Sequence, residues 1–260
     1  MKLYSDKPGA SIQMSADAEL KSILQRIIAN ENIRFVFESG TYLGTGSTAT
    51  IAELFLSNNK IPERFITVEA NFEYYTAAKN NLLQYAFIEP VFGLSVDWFD
   101  AVKFIVNDEV FNTLHQYPDV FIDHIKDPQK FYLQEIMIGF FQSKIEKTGP
   151  LKKTFFGKPK IAKPDFINNV LSVFGESIAA NTTSLIILDS AAGIGFYEFL
   201  QVKKTMAQKS YYLVLDDIDH LKHFRSRLYI QNNPQEFELI GLNKESGWLI
   251  AKSLLIATEN

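Results

Sequence analysis

Two periods of apolar spacing alternate along this chain. Over residues 16–28, Leu20, Ile23, Leu24, Ile27 and Ile28 recur at helical spacing and predict a helix with one buried face. Residues 1–14 look irregular and polar. The apolar run 33–37, interrupted only by Arg34, reads as a buried strand; it stops at Glu38 and a glycine-rich turn, after which 47–54 reads as the start of a helix. Residues 64–69 predict a second strand, 71–83 a helix, and 89–97 a third strand with its turn. The fourth strand, 184–189, comes much later. The segment between is too long for a single crossover helix. Its last part, 164–180, predicts that helix, and about 98–163 is an insertion rich in Phe and Tyr, with a helix over 129–145. Beyond it the pattern predicts a helix over 193–207, a fifth strand over 211–217, a helix over 219–229, and two strands, 237–241 and 248–253, paired as a hairpin through the turn 243–247. Strands alternating with helices and closed by a hairpin predict an α/β fold in one domain, residues 1–260. Its core is a doubly wound, mostly parallel seven-stranded sheet ending in a C-terminal antiparallel hairpin.

Composition narrows the class. The 260 residues are 47% hydrophobic and 22% charged, enough for one full core. A net charge of −4 gives no global attraction to nucleic acid or to an anionic membrane. Without cysteine, disulfides and thiolate metal sites are excluded. No apolar stretch is long enough to span a bilayer, and the first residues lack a basic-then-apolar signal pattern, so a soluble cytoplasmic protein is the expectation. The segment 144–163 carries seven lysines and Phe155-Phe156. It reads either as a lid that attracts an anionic substrate or as a solvated loop.

The candidate chemistry begins at the first strand end. Strand, glycine-rich turn and helix start form a nucleotide-binding unit, in which free N–H groups of the first helical turn face an anion. A dinucleotide fold places Gly-x-Gly-x-x-Gly here. This chain has Glu38-x-Gly40-x-Tyr42-x-Gly44-x-Gly46-Ser47 instead. That pattern resembles the first motif of the S-adenosylmethionine (SAM)-dependent methyltransferases, and in particular the catechol O-methyltransferase-like group, where Glu-x-Gly-x-Tyr-x-Gly is typical. The resemblance implies that Glu38, Gly40, Tyr42, Gly44, Gly46 and Ser47 hold the methionine part of SAM. Glu69, at the end of the second strand, stands where a carboxylate accepts from both ribose hydroxyls. Gly93, Ser95 and Asp97 match a Gly-x-Ser-x-Asp that in this group cups the adenine; the alternative for Ser95 and Asp97 is a helix cap.

Acids also end strands four and five. Asp189, Asp216 and Asp217 would share one rim and repel one another unless a cation neutralised them, and a hard divalent ion such as Mg²⁺ suits oxygen ligands. Metal-dependent O-methyltransferases place acids at these positions, so the resemblance implies a metal site there, with Asp189 also serving catalysis. The ion would hold acceptor oxygens and acidify the attacking hydroxyl. The alternative is that the three acids cap helices. The catechol enzymes carry a lysine three residues after the strand-four acid as general base, where this chain has Ala192. His220, Lys222 and His223 are the nearby candidates, His220 foremost because imidazole titrates near neutrality.

The function expected is SAM-dependent methyl transfer, as an O-methyltransferase of a small hydroxylated molecule or sugar, with Mg²⁺. Three alternatives stay open: a non-catalytic SAM-binding module, an NAD-dependent oxidoreductase, and a methyltransferase of nucleic acid or protein docking through the lysine-rich segment. The aromatic insertion offers a surface for a homodimer.

Overall fold

A computed structural model describes residues 2–7, 14–137, 164–190 and 193–255. The chain starts as a two-residue strand, β1 (Lys2–Leu3), and reaches α1 (Ala18–Asn30). Asp17 caps that helix by accepting from the Leu20 N–H at 2.8 Å. Three strand–helix units follow: β2 (Ile33–Ser39) with α2 (Ser47–Ser57), β3 (Arg64–Glu69) with α3 (Phe72–Asn81), and β4 (Ile88–Phe92) with α4 (Trp98–Asn107). The insertion adds α5 (Val110–Thr113), a two-residue strand β5 (Phe121–Ile122) and a helix α6 over 128–137. Then come α7 (Val170–Ser177), β6 (Thr183–Leu188), α8 (Gly195–Thr205), β7 (Ser210–Leu215), α9 (Phe224–Asn232), β8 (Phe237–Asn243) and β9 (Trp248–Ser253).

Seven of these strands form one sheet in the order β4-β3-β2-β6-β7-β9-β8. From β2 the chain winds outward through β3 and β4, then returns to the other side of β2 for β6 and β7. Strand order therefore reverses between β2 and β6, and a crevice opens beyond their carboxyl ends. β9 inserts between β7 and β8 and pairs antiparallel with both, so the one reversed strand is internal and β8 forms the edge. Pro90 is accommodated because β4 is the opposite edge.

Each central strand serves two cores, because successive side chains leave opposite faces. On one face Val36, Leu185, Ile187 and Val214 pack under α1, α2 and α3 with Trp248. On the other, Phe37, Ile186, Leu188 and Leu213 pack under α4, α6, α7 and α8. The apolar runs of β6 and β7 are continuous rather than alternating for this reason: both faces are covered.

Three expectations are corrected. The helix expected over 219–229 begins only at Phe224; residues 219–223 are turns, and His220 bridges to Phe121. The crossover helix expected over 164–180 is confined to α7, because Ile167 is bonded to the end of β4 through Phe92 and Leu94. The start of the chain, read as irregular, contains β1, which pairs with β5 of the insertion. That small parallel pair brings Tyr4 and the insertion to the carboxyl end of β7. The remainder of the expected 129–145 helix and the lysine-rich segment 144–163 lie outside the described residues. Among the described residues no helix is long and apolar enough to cross a membrane.

Candidate functional site

The glycine turn is held from both sides. Gly40 and Thr41 donate their N–H groups to the Val68 carbonyl at 3.0 and 3.2 Å, which ties the turn to the end of β3. Gly40 has φ +89°, and a Cβ there would lie 2.1 Å from the Asp189 carbonyl oxygen. The turn thus packs against the end of β6, where only glycine fits. Tyr42 takes φ +51°, uncommon for a non-glycine residue, with its ring edge-on to Tyr74 at 4.6 Å. At the start of α2, Gly46 is the cap and supplies no side-chain bond, so the first-turn N–H groups of the helix have no side-chain cap.

Glu38 organises this turn from behind. Fully buried, it accepts from Ser47 Oγ and Thr48 Oγ1 at 2.6 Å each and from Thr67 Oγ1 at 2.7 Å. Burial pushes its carboxyl up to about 7 against those three donors. Glu69 is placed differently. Its Oε2 accepts the Tyr42 N–H at 2.8 Å and its Oε1 the Asn71 N–H at 2.7 Å, and it lines the crevice. Burial raises its pKa, opposed by those N–H groups. A carboxylate has about four acceptor positions, so two bonds leave capacity for a ligand's hydroxyls.

The crevice is a cleft of about 730 Å³ that runs from this turn to the ends of β6 and β7. Gly93, Leu94 and Ser95 form one wall. Ser95 and Ser190 both donate to Glu198, a carboxyl buried inside α8 and raised by that burial. At the far end Met14, Glu135, Ile136, Asp189, Ile194 and Asp216 face the space. One Glu135 carboxyl oxygen, Oε2, is buried without a hydrogen-bond partner among the described residues. Burial, with help from the Asp123 charge, pushes this carboxyl up to about 7.

The three strand-end acids do converge: one carboxylate oxygen from each of Asp189, Asp216 and Asp217 lies within 4.8 Å of the others. A cation is already among them. Lys222 Nζ is 3.0 Å from Asp189 Oδ1 and 2.9 Å from Asp217 Oδ2. Tyr4 donates to the other Asp217 oxygen. Burial opposes ionisation of both Lys222 and Asp217, yet their mutual attraction wins. The ammonium is held well above its usual range, and the Asp217 carboxyl well below its own. Asp216 is different: burial and then the neighbouring Asp189 and Asp217 charges push it well up against a smaller opposing pull from Lys222, and it shares a hydrogen bond with Asp189. Lys222 thus brings a positive charge to the cluster from within the chain. Gly195 makes room for it, since a Cβ there would stand 2.5 Å from Lys222 Cγ and 2.6 Å from the Lys222 carbonyl oxygen.

Of the residues singled out from the sequence, Gly40, Tyr42, Gly46, Ser47, Glu69, Ser95, Asp189 and Asp216 line the cleft. Five others do not. Glu38 acts from behind the turn. Gly44 faces Leu82 and Ala78 of the α3 region. Asp97 caps α4, accepting from the Asp100 N–H at 3.0 Å and from Asn168 Nδ2 at 2.6 Å. Asp217 is turned to Tyr4 and Lys222. His220 is buried, with Nε2 3.2 Å from Asp123 Oδ2 and Nδ1 accepting the Lys222 N–H at 3.2 Å. The Nδ1 bond places the imidazole proton on Nε2, toward Asp123 and away from the cleft. Ala192, at the expected lysine position, lies outside the described residues.

Glu135 and Glu198 were missed from the sequence. A lone acid in each of two apolar helical runs was the available signal. Tyr4 had none, being 213 positions from Asp217.

No family model matches the sequence, and no curated protein matches it. Among solved structures it is similar to an O-methyltransferase from Bacillus cereus in complex with SAH, at 12% identity and TM-score 0.45, over 92% of this chain and 82% of that one. An O-methyltransferase of tomaymycin synthesis from Streptomyces achromogenes, in complex with SAM, is 13% identical with TM-score 0.43, over 92% and 80%. An rRNA methylase from Streptococcus thermophilus is 9% identical with TM-score 0.39, over 91% and 94%. At these identities the likeness is one of chain path and carries no function across.

Proposed function

We propose that this chain is a SAM-dependent methyltransferase whose acceptor is a hydroxyl on a small molecule. The observation that carries this reading is the continuity of the cleft. One space of about 730 Å³ joins the glycine turn and Glu69 to a far end walled by Asp189, Asp216 and Glu135. That is room for a nucleoside-bearing donor and a small acceptor end to end.

The donor half fits SAM by its own chemistry. The N–H groups at the start of α2 face the methionine carboxylate. Glu69 accepts from the ribose hydroxyls, and Gly93, Leu94 and Ser95 border the base. Bound there, SAM supplies an electrophilic methyl group on sulfur, open to in-line attack by an acceptor oxygen from the far end of the cleft. Glu135 would take the hydroxyl proton as the oxygen bonds to the methyl carbon and the carbon–sulfur bond breaks, its electron pair leaving on the sulfur of S-adenosylhomocysteine. A carboxyl with a pKa near the working pH is suited to that transfer. Asp189 and Asp216 orient the acceptor by hydrogen bonds. His220 leaves the list of bases because its proton faces Asp123.

Calorimetric titration with S-adenosylhomocysteine tests the donor half. Micromolar binding is expected, weakened about a hundredfold by Glu69→Ala through loss of charge-assisted bonds to the ribose. Equal affinity in the variant would remove Glu69 from the site, and no binding by the natural chain would overturn the reading. The acceptor half is tested with methyl-labelled SAM and a panel of hydroxylated small molecules. Label transfer should fall as pH drops below about 7, when Glu135 is protonated. In Glu135→Gln, transfer should be lost while SAH affinity stays unchanged. A variant with the natural rate would exclude Glu135 as the base.

A further inference from the structure

We propose that Lys222 is the resident cation of the strand-end carboxylate cluster, taking the electrostatic place of a divalent ion, so that the cluster binds none. Three carboxylates gathered within 4.8 Å make a plausible oxygen site for Mg²⁺ by residue type alone. Their geometry points elsewhere. The ammonium bridges Asp189 and Asp217 at 3.0 and 2.9 Å, and Tyr4 occupies the second oxygen of Asp217. A divalent ion bound by Asp189 and Asp217 would stand against a positive charge that both acids already hold.

The lysine is built in rather than draped over the surface. Its side chain is only 6% exposed. Its stem crosses the start of α8 at Gly195, where a Cβ would collide with the lysine's Cγ and its carbonyl oxygen. Five residues earlier, Asp217 takes φ +56° and accepts from the ammonium through its carboxylate; its carbonyl receives the His220 N–H at 2.9 Å. The tight turn this closes folds the segment back so that Lys222 returns to the end of β7. Such strained backbone persists where the surroundings over-determine it. Helix start, turn and N-terminal Tyr4 all converge on one ion pair.

The consequence for chemistry rests on the transferase reading above. A metal-bound site recognises its acceptor by chelation, which demands adjacent oxygens on the substrate. A cluster neutralised by an internal ammonium makes no such demand. Acceptor recognition then falls to hydrogen bonding by Asp189 and Asp216, and the acceptor class widens to molecules with a single hydroxyl.

The test uses Mn²⁺ as the probe, read by electron paramagnetic resonance on the full chain, with and without S-adenosylhomocysteine. The natural chain is expected to leave Mn²⁺ free at millimolar concentration. Lys222→Met keeps the apolar stem and removes the charge, and should raise Mn²⁺ affinity at least about tenfold, since affinity at oxygen sites follows ligand charge. Adding Asp216→Asn to that variant should reverse the gain. Stoichiometric Mn²⁺ binding by the natural chain, lost in Asp216→Asn, would overturn the proposal. So would a folded Lys222→Met that still ignores Mn²⁺, because the lysine would then be filling no cation's place. Should Lys222→Met fail to fold, recovery of its melting transition by Mn²⁺ supports the proposal and lack of recovery overturns it. The S-adenosylhomocysteine titration reports separately on the transferase reading: its failure would leave the cation result standing.

Discussion

Lys222→Met is expected to lower the free energy of unfolding by about 3–5 kcal/mol at pH 7, the usual range for removing one partner of a buried ion pair. Packing alone does not account for this, because methionine keeps the stem that lies across Gly195. The loss comes from Asp189 and Asp217, left charged and partly buried with no cation between them. Its pH dependence follows from the direction of each shift. In the natural chain Asp217 is held below its unfolded value, so its contribution is present above about pH 4 and fades as pH falls through the folded value. Lys222 is held above its unfolded value, so its contribution is present at neutral pH and fades only as pH rises through a folded value beyond 10.5. In the variant burial raises Asp217 once the cation is gone, and Asp189, already raised by burial in the natural chain, rises further. The penalty is present above about pH 4 and disappears as they take up protons. Urea unfolding at pH 7 and at pH 3.5 checks this: the difference between the two proteins should narrow at the lower pH, where the variant's penalty is gone, and persist in part, because the natural Asp217 contribution fades only well below that pH. An equal difference at both would mean that the lysine stabilises by packing.

Gly40→Ala is expected to cost about 3 kcal/mol or more of stability and to abolish S-adenosylhomocysteine binding. Two penalties add. The residue has φ +89°, and a Cβ there would lie 2.1 Å from the Asp189 carbonyl oxygen, an impossible contact with backbone. Left-handed backbone costs a side-chain-bearing residue roughly 1–2 kcal/mol. Relief of the clash requires the ends of β2 and β6 to separate, which threatens the Asp189 N–H bond to the Ser39 carbonyl at 3.1 Å. That separation also displaces Asp189 from the far end of the cleft, so donor and acceptor halves fail together. Gly46→Ala is the control. A Cβ at Gly46 meets nothing within 4 Å, and its effect on thermal unfolding should stay under about 1 kcal/mol. Equal melting of the two variants would show that the turn does not pack against β6.

What could be read from the residues alone was whatever local periodicity and strand polarity impose. The apolar runs at 33–37, 184–188 and 211–215 declare buried strands because both faces of the sheet are covered. An acid closing each of several parallel strands must reach one rim, whatever the loops do. Glu69 and the glycine turn were legible for the same reason, being tied to the ends of adjacent strands. Direction within the rim was not legible. Glu38 and Asp189 both end strands, yet one is turned into the sheet toward three hydroxyls and the other faces the cleft. Lys222 and His220 are two positions apart, and nothing in their spacing says that the lysine reaches the acids while the histidine turns to Asp123. That choice is made by the tight turn after β7, by Gly195 leaving a path for the lysine stem, and by Tyr4 and Asp123 arriving from distant parts of the chain. In irregular backbone a side chain's direction follows the local φ and ψ and the charges packed against it. Contacts between residues far apart in the chain supply those, so they exist only once the chain has folded.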